Sequence, residues 1–266
     1  KVGDHFFPGH RQPNGGYACL FPFPYTMTTA DFAPEIMARD IAGNVTSSRL
    51  LVNAQNRTFK ADTVTIGDRM LTLKADELAN LCPEKTTTLD QYICVNNRVR
   101  VENDAKLLEL GQTTNPVFVW EGAFLPRSAV KANFGDFRTY MLNGQKIDEQ
   151  THTGLDLASV ARADIPAAQA GRVVFVDYLG IYGNMVLVDH GLGLMTLYAH
   201  MSETQVNPGD EVKAGQILGK TGTTGMAVGD HVHFGVLVGG IPVTPIEWLD
   251  AKWVQSNITR RLNTAL

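Results

Sequence analysis

Long apolar runs are missing from this 266-residue chain, and no stretch approaches the roughly 18 apolar residues that a membrane-spanning helix needs. A basic excess is missing too: 23 Lys and Arg against 27 Asp and Glu give a formal net charge of −4, which argues against a nucleic-acid-binding protein. No low-complexity segment or regular repeat is present, which argues against a solenoid. The sequence predicts a folded chain without a transmembrane segment, long enough for two domains.

Cysteine is scarce, with Cys19, Cys82 and Cys94 only. The spacing between the last two is too wide for one arm of a zinc finger. Two alternatives remain for that pair: buried thiols, or a Cys82–Cys94 disulfide that closes a short loop and suits an oxidising compartment. Cys19 would then be left without a partner.

The first 115 residues contain two kinds of pattern. Residues 1–58 are rich in β-type runs, and residues 38–47 predict a hairpin with a Gly-Asn turn. That hairpin resembles the end of bacterial immunoglobulin-like modules, so we expect a partial immunoglobulin-like β module. Residues 59–115 show helical spacing of apolar residues, with Gly111 as a C-cap, and we expect a small helical connector.

Residues 116–266 change to short β-type runs separated by glycine turns. The runs share β-branched and aromatic residues: RVVFVDY (172–178), NMVLVDH (184–190), LMTLYAHM (194–201) and HVHFGVLV (231–238). The chain is therefore predicted to be mainly β, with a C-terminal antiparallel sheet or open barrel. A closing helix should begin at Pro245 and pack one side, Trp248, Leu249, Trp253 and Ile258, against this sheet.

Histidines are concentrated in the same β-rich region. His231 and His233 are one residue apart in a predicted strand, so their side chains share a face. A bend at Gly154 would bring His152 and Asp156 to one point. His152, Asp156 and one histidine of the 231/233 pair would supply two imidazoles and a carboxylate. This is a common set of ligands for a catalytic zinc ion whose fourth position is open. Other histidines, including His200, would remain for proton transfer during hydrolysis.

Three of these motifs in order resemble the lysostaphin/LytM-type zinc metallopeptidases over residues 117–248. They are His-x-x-x-Asp at 152–156, YAHM at 198–201 and His-x-His at 231–233, with the flanking phrase VNPGDEVKAGQILGKTGTTG. The resemblance implies one Zn²⁺ per chain, held by His152, Asp156 and His233. It also implies that His200 and His231 are the unliganded catalytic histidines, without deciding which is the general base.

The resemblance implies a zinc-dependent endopeptidase that hydrolyses peptide cross-links of bacterial peptidoglycan. Its partners would be peptidoglycan peptide stems, and it would be exported to the periplasm or cell envelope, or secreted. We favour the D-Ala–meso-diaminopimelate cross-link over a glycyl-glycine bridge, on the acidic balance and an N-terminal module unlike a wall-binding one. The first 115 residues either inhibit the enzyme from within the chain, with His10, Asn14 or Glu35 within reach, or position it.

Two other functions compete with this interpretation. One is a catalytically inactive relative that binds peptidoglycan or activates other hydrolases, which is disfavoured because all five site residues are present. The other is a biotinyl- or lipoyl-type carrier, which is disfavoured because Lys213 and Lys220 lack the required setting.

Nearby polar residues carry smaller expectations. We expect a structural role for His190, and Asp230 facing solvent rather than orienting His231. For Arg138, a surface charge is as acceptable as a substrate contact.

Overall fold

The structure, a computed structural model, describes residues 1–125, 129–158 and 160–264. These residues are mainly β, as predicted. The first four strands are short and form two separate pairs: β1 (His10–Arg11) with β2 (Tyr17–Ala18), and β3 (Glu35–Arg39) with β4 (Val45–Arg49). The hairpin predicted within 38–47 is confirmed, since the Asp40 carboxylate accepts hydrogen bonds from the Asn44 backbone and side chain. The immunoglobulin-like relationship stays a prediction.

The predicted connector is largely helical. It contains α1 (Asp68–Leu81), α2 (Thr88–Cys94), a π-helical turn (Val95–Val99) and α3 (Arg100–Leu110). A Cys82–Cys94 disulfide joins the end of α1 to the end of α2, so the structure selects that alternative. Cys19 is exposed and is not part of a disulfide among the described residues.

One strand was missed in this region. β5 (Ala61–Thr65) pairs in parallel with β7 (Phe137–Leu142), which also pairs with β8 (Gln145–Thr151). Its β-branched run Thr63, Val64 and Thr65 explains the strand, because such side chains suit a pleated surface. This pairing crosses the predicted boundary at residue 115, and the domain limits at 58 and 115 stay predictions.

The remaining strands build the main sheet and a smaller one beside it. The strand bounds are β6 (Ala129–Ala132), β9 (Leu155–Ala158), β10 (Asp164–Pro166), β11 (Gly171–Tyr178), β12 (Asn184–Asp189), β13 (Leu194–Ala199), β14 (Glu203–Thr204), β15 (Glu211–Val212), β16 (Ile217–Lys220), β17 (Val232–Val238) and β18 (Ile241–Val243). The main sheet has the order β15-β11-β12-β13-β17-β9-β6, with β18 paired to β17, and all of its pairs are antiparallel. The smaller sheet has the order β10-β16-β14, and among the described residues neither sheet closes into a barrel.

Both faces of the central strands are buried. Val186 and Val188 of β12 join one hydrophobic core, whereas Met185 and Leu187 join a second, as the twofold alternation of a strand requires. Helices α1 to α3 contribute to the second core, with Leu78 among its fully buried side chains. The helical segment is therefore packed on the sheet that carries the predicted site.

The closing helix begins at Pro245, as predicted, but is interrupted. It consists of α4 (Pro245–Leu249), α5 (Ala251–Val254), a π-helical turn (Gln255–Thr259) and α6 (Arg260–Thr264). Asp250 causes the break, because it is extended and its carboxylate caps α5 by accepting from the backbone N–H of Lys252 and Trp253. The four predicted side chains pack against the first core. Among the described helices, none combines the length and apolarity needed to cross a membrane.

Candidate metal and catalytic site

The pairing of β9 with β17 brings two predicted ligands side by side. Asp156 lies directly opposite His233 in the register of the two strands. His152 precedes β9, and the chain turns at Gly154 as predicted. A Cβ on Gly154 would lie 2.6 Å from His233 Nε2 and from the Phe234 carbonyl oxygen, so this position requires the absence of a side chain.

Three atoms of the predicted ligand set meet at one point. His152 Nε2 lies 2.9 Å from Asp156 Oδ1 and 3.0 Å from His233 Nδ1. His233 Nδ1 lies 3.1 Å from the same Asp156 oxygen. With neutral His152 donating from Nδ1, its Nε2 and Asp156 Oδ1 direct lone pairs at each other, and a positive charge between them would relieve that repulsion.

The surroundings of the triad suit a bound cation. The His152 Nδ1 proton is donated to the Asn133 carbonyl at 2.8 Å, which leaves Nε2 as the ligand atom. Arg138 Nη2 donates to Asp156 Oδ2 at 3.2 Å and so holds the carboxylate by its other oxygen. Arg138 is therefore not a surface charge without a partner. Its contact with Asp156 was not predicted from the sequence. Two imidazoles and one carboxylate fit zinc with an open fourth position.

His200 and His231 lie beside the triad but outside it. The ring of His200 is 4.9 Å from that of His231 and 5.8 Å from that of His233, measured between centroids. His200 Nδ1 donates to the Thr224 carbonyl at 2.9 Å, and His231 Nδ1 donates to the Gly229 carbonyl at 2.7 Å. His200 therefore keeps Nε2 for chemistry, whereas His231 Nε2 lies 3.5 Å from Asp156 Oδ1. The structure brings all five predicted residues together, and their roles stay proposals.

Burial and hydrogen bonds set the charge states. Burial raises the pKa of Asp156, but its contacts with His152, His231 and His233 outweigh burial and hold that pKa well below its usual range. Burial lowers the pKa of His233 to about 4 and places the pKa of His200 well below normal. Burial also lowers the pKa of His231, but its hydrogen bond to Asp156 prevails and the pKa is raised. His233 is therefore in the neutral form that binds metals.

These residues line a cavity of about 300 Å³. Ile181 and Tyr182 line one wall, and the Met226–Gly229 segment lines another. A third wall is formed by β5, α1, α2 and the residues that follow them, namely Val64, Ile66, Met70, Tyr92, Asn96 and Arg100. The residues considered for inhibition, His10, Asn14 and Glu35, do not line this cavity.

The smaller expectations resolve separately. His190 has the predicted structural role: it is fully buried, with Nδ1 bonded to the Ala170 carbonyl and Nε2 to the Thr196 hydroxyl. Asp230 does not orient His231. Its carboxylate instead accepts hydrogen bonds from the Thr221 hydroxyl and the Arg162 backbone N–H.

Known proteins match mainly the C-terminal half. Residues 150–245 match the model of Peptidase family M23. The chain is 37% identical over 95 residues to the DD-carboxypeptidase/endopeptidase Mpg of Neisseria meningitidis serogroup B, covering 36% of this chain and 22% of that protein. It is 34% identical over 116 residues to the peptidoglycan DD-endopeptidase ShyC of Vibrio cholerae, covering 44% of this chain and 26% of that protein. The chain thus spans about a quarter of the length of these relatives.

A solved structure extends the similarity in fold beyond this domain. A candidate peptidase M23 from Pseudomonas aeruginosa superposes with a TM-score of 0.54 and 20% identity, covering 92% of this chain and 84% of that one. At this identity the match concerns the fold alone. The sequence matches are the findings that support a peptidase.

Proposed function

We propose that the chain is a zinc-dependent endopeptidase acting on peptide cross-links of bacterial peptidoglycan, starting from the match of residues 150–245 to Peptidase family M23. The observation that carries the proposal is the convergence of His152 Nε2, Asp156 Oδ1 and His233 Nδ1, all 2.9–3.1 Å apart. The substrate class is proposed from relatives described as peptidoglycan DD-endopeptidases. An inactive relative that only binds peptidoglycan or activates other hydrolases is not favoured, because the ligand set and both additional histidines are in place.

The residues of this chain have distinct tasks in such a reaction. His152, Asp156 and His233 would hold the zinc ion, which supplies Lewis acidity to the scissile carbonyl and makes water more acidic. His200 and His231 each have Nδ1 fixed by a backbone carbonyl, so each exchanges protons through Nε2. One takes a proton from the attacking water, and the other stabilises the developing negative charge or returns a proton to the leaving amine.

The preferred cross-link is D-Ala–meso-diaminopimelate, with the glycyl-glycine bridge as the alternative. The three DD-endopeptidase relatives from Vibrio cholerae support this preference. Such a substrate places the protein outside the cytoplasm, in the periplasm or cell envelope or in the medium. The Cys82–Cys94 disulfide supports that location, because disulfides persist in oxidising compartments.

The test is digestion of purified sacculi of both chemistries by the full chain. We expect new amino groups at the diaminopimelate cross-link, identified by mass analysis of the fragments, and no cleavage after zinc is removed by a chelator. Release from glycine bridges alone would overturn the preferred substrate. If the zinc-loaded protein cleaves neither kind of sacculus, the proposal that it is a peptidoglycan endopeptidase is wrong.

Inhibition by the first 115 residues stays a proposal. It now rests on residues of α1 and α2 that line the cavity, and not on His10, Asn14 or Glu35. Met70 and Tyr92, from α1 and α2, wall the cavity on one side and leave less room for a branched cross-link. We expect Met70→Ala to speed cleavage of intact sacculi more than cleavage of a short soluble peptide. An equal effect on both substrates would contradict steric restriction by this wall.

A further inference from the structure

One lysine of α1 lies where an apolar residue is expected. Lys74 follows Met70 and precedes Leu78 by one helical turn each, and all three are buried. Only 7% of its surface is exposed. A buried ammonium group is costly unless it is paired and fully hydrogen-bonded, so its partners indicate what the position does.

The partners of Lys74 lie on α1 itself and in the 221–229 loop. Its Nζ donates to Glu77 Oε2 at 2.7 Å and to the backbone carbonyl of Thr223. Glu77 reaches the same loop, because its Oε1 accepts from the Gly225 backbone N–H at 2.9 Å. Lys74 and Glu77 thus bind the residues immediately before and after Thr224.

Thr224 is the residue whose carbonyl accepts the His200 Nδ1 proton. The opposite side of this loop packs against the turn that precedes β12: a Cβ on Gly225 would lie 2.4 Å from the Gly183 nitrogen. The loop is therefore held between that turn and α1. The Thr224 peptide has little freedom to rotate while Lys74 and Glu77 hold both of its neighbours.

We infer that Lys74 and Glu77 are positioning residues: they fix the Thr224 carbonyl and, through it, the orientation and tautomer of His200. This inference rests on the proposed function for its kinetic consequence, but its structural consequence can be measured separately. From the sequence, the first 115 residues were expected either to inhibit the enzyme or to position it. Support of a catalytic side chain by the helical segment is a third role.

The experiment compares two double variants of the zinc-loaded 266-residue chain. The first is Lys74→Met with Glu77→Leu, which removes both charges together and leaves no unpaired buried charge. The matched control is Lys106→Met with Glu109→Leu on α3. That pair has the same spacing and the same 2.7 Å Nζ–Oε distance, but its members are 37% and 68% exposed.

We expect the first double variant to bind zinc and to keep its KM within about twofold. Its kcat should fall about ten- to hundredfold, as for the loss of groups that orient a functional side chain. The ¹⁵N chemical shifts of the His200 ring should indicate a mixture of tautomers instead of the Nδ1–H tautomer alone. The control should match the unmodified chain in all of these measurements.

A second comparison covers the case in which the first double variant fails to fold. Glu77→Gln keeps one oxygen, which can accept from either Gly225 or Lys74, whereas Glu77→Ala keeps none, so the glutamine variant should retain more kcat and more of the Nδ1–H tautomer. Unchanged His200 shifts in both glutamate variants would overturn the inference, as would loss of zinc by either. Unchanged shifts are informative even if no peptidoglycan is cleaved, so failure of the inference is distinguishable from failure of the proposed function.

Discussion

Two groups of histidines share one cavity but are held by different parts of the molecule. The proposed metal triad depends on the sheet, with His233 inside β17 and Asp156 opposite it in β9. His200 and His231 depend on the 221–229 loop, because the carbonyls of Thr224 and Gly229 orient their rings. Strand pairing fixes relative positions to within a fraction of a residue, whereas a loop is as ordered as its contacts make it.

This difference separates metal binding from turnover. Changes to the sheet-borne triad should remove metal and activity together. Changes to the loop or to its supports on α1 should spare the metal and slow the reaction. The predictions below test that separation in order of decreasing effect.

The largest effect is expected for His233→Ala. It removes one of three ligands and leaves Asp156 and His152 to hold the ion alone, so zinc content and cleavage should both fall to background. Elemental analysis and digestion of sacculi measure the two losses. His5→Ala, an exposed histidine outside the cavity, serves as control. A His233→Ala protein with full zinc content would contradict the assignment of this ligand.

His200→Ala and His231→Ala should each lower kcat by about 10²–10⁴-fold while zinc content stays at one ion per chain, because in the proposed mechanism these rings move protons and do not bind metal. Steady-state kinetics on a defined cross-linked peptide, together with elemental analysis, tests both claims. The dependence of kcat on pH is expected to be bell-shaped, and the limb that is lost in each variant would show whether the missing ring acts as base or as acid. Loss of zinc by either variant would place it in the ligand set instead.

The site was more predictable than its supports. Each motif is local, since the bend at Gly154 and the alternation of His231 and His233 follow from a few consecutive positions. The combination of the three motifs in one site, and the choice of His233 over His231 as ligand, came from the family resemblance. The hairpins, the closing helix at Pro245 and the α1 and α3 helices followed from periodicity.

Contacts between distant segments were not predictable in this way. The parallel pairing of β5 with β7 joins residues more than 70 positions apart, and no pattern within either strand names its partner. The same holds for Lys74 and Thr223, separated by 149 positions. One sign was present: a lysine in the apolar stripe between Met70 and Leu78 indicates a buried charge that needs partners.

Arg138→Met should weaken zinc binding about 10- to 100-fold, because Arg138 holds the second oxygen of the ligand Asp156. Competition with a zinc-selective chelator measures the change in Kd. Arg162→Met is a close control, since Arg162 pairs with Glu203 at the same 3.2 Å distance on a more exposed surface. An unchanged Kd for Arg138→Met would show that strand pairing alone orients Asp156.

The smallest effect is expected for Asp230→Asn, at the edge of the loop that supports the two catalytic histidines. The carboxylate accepts from both Thr221 and Arg162, whereas an amide accepts through one oxygen only and must meet the Thr221 hydroxyl as a donor, so a hydrogen bond to a charged acceptor is weakened. A change of about 0.5–1.5 kcal/mol corresponds to a fall in kcat of roughly two- to tenfold if it is transmitted fully through the 221–229 loop. Zinc content should not change.

Asp164→Asn, which disturbs the exposed pair with Lys220, is the control. A normal kcat in Asp230→Asn beside a reduced one in Glu77→Ala would show that the loop is held from the α1 side, so that the helical segment, rather than the sheet, governs turnover.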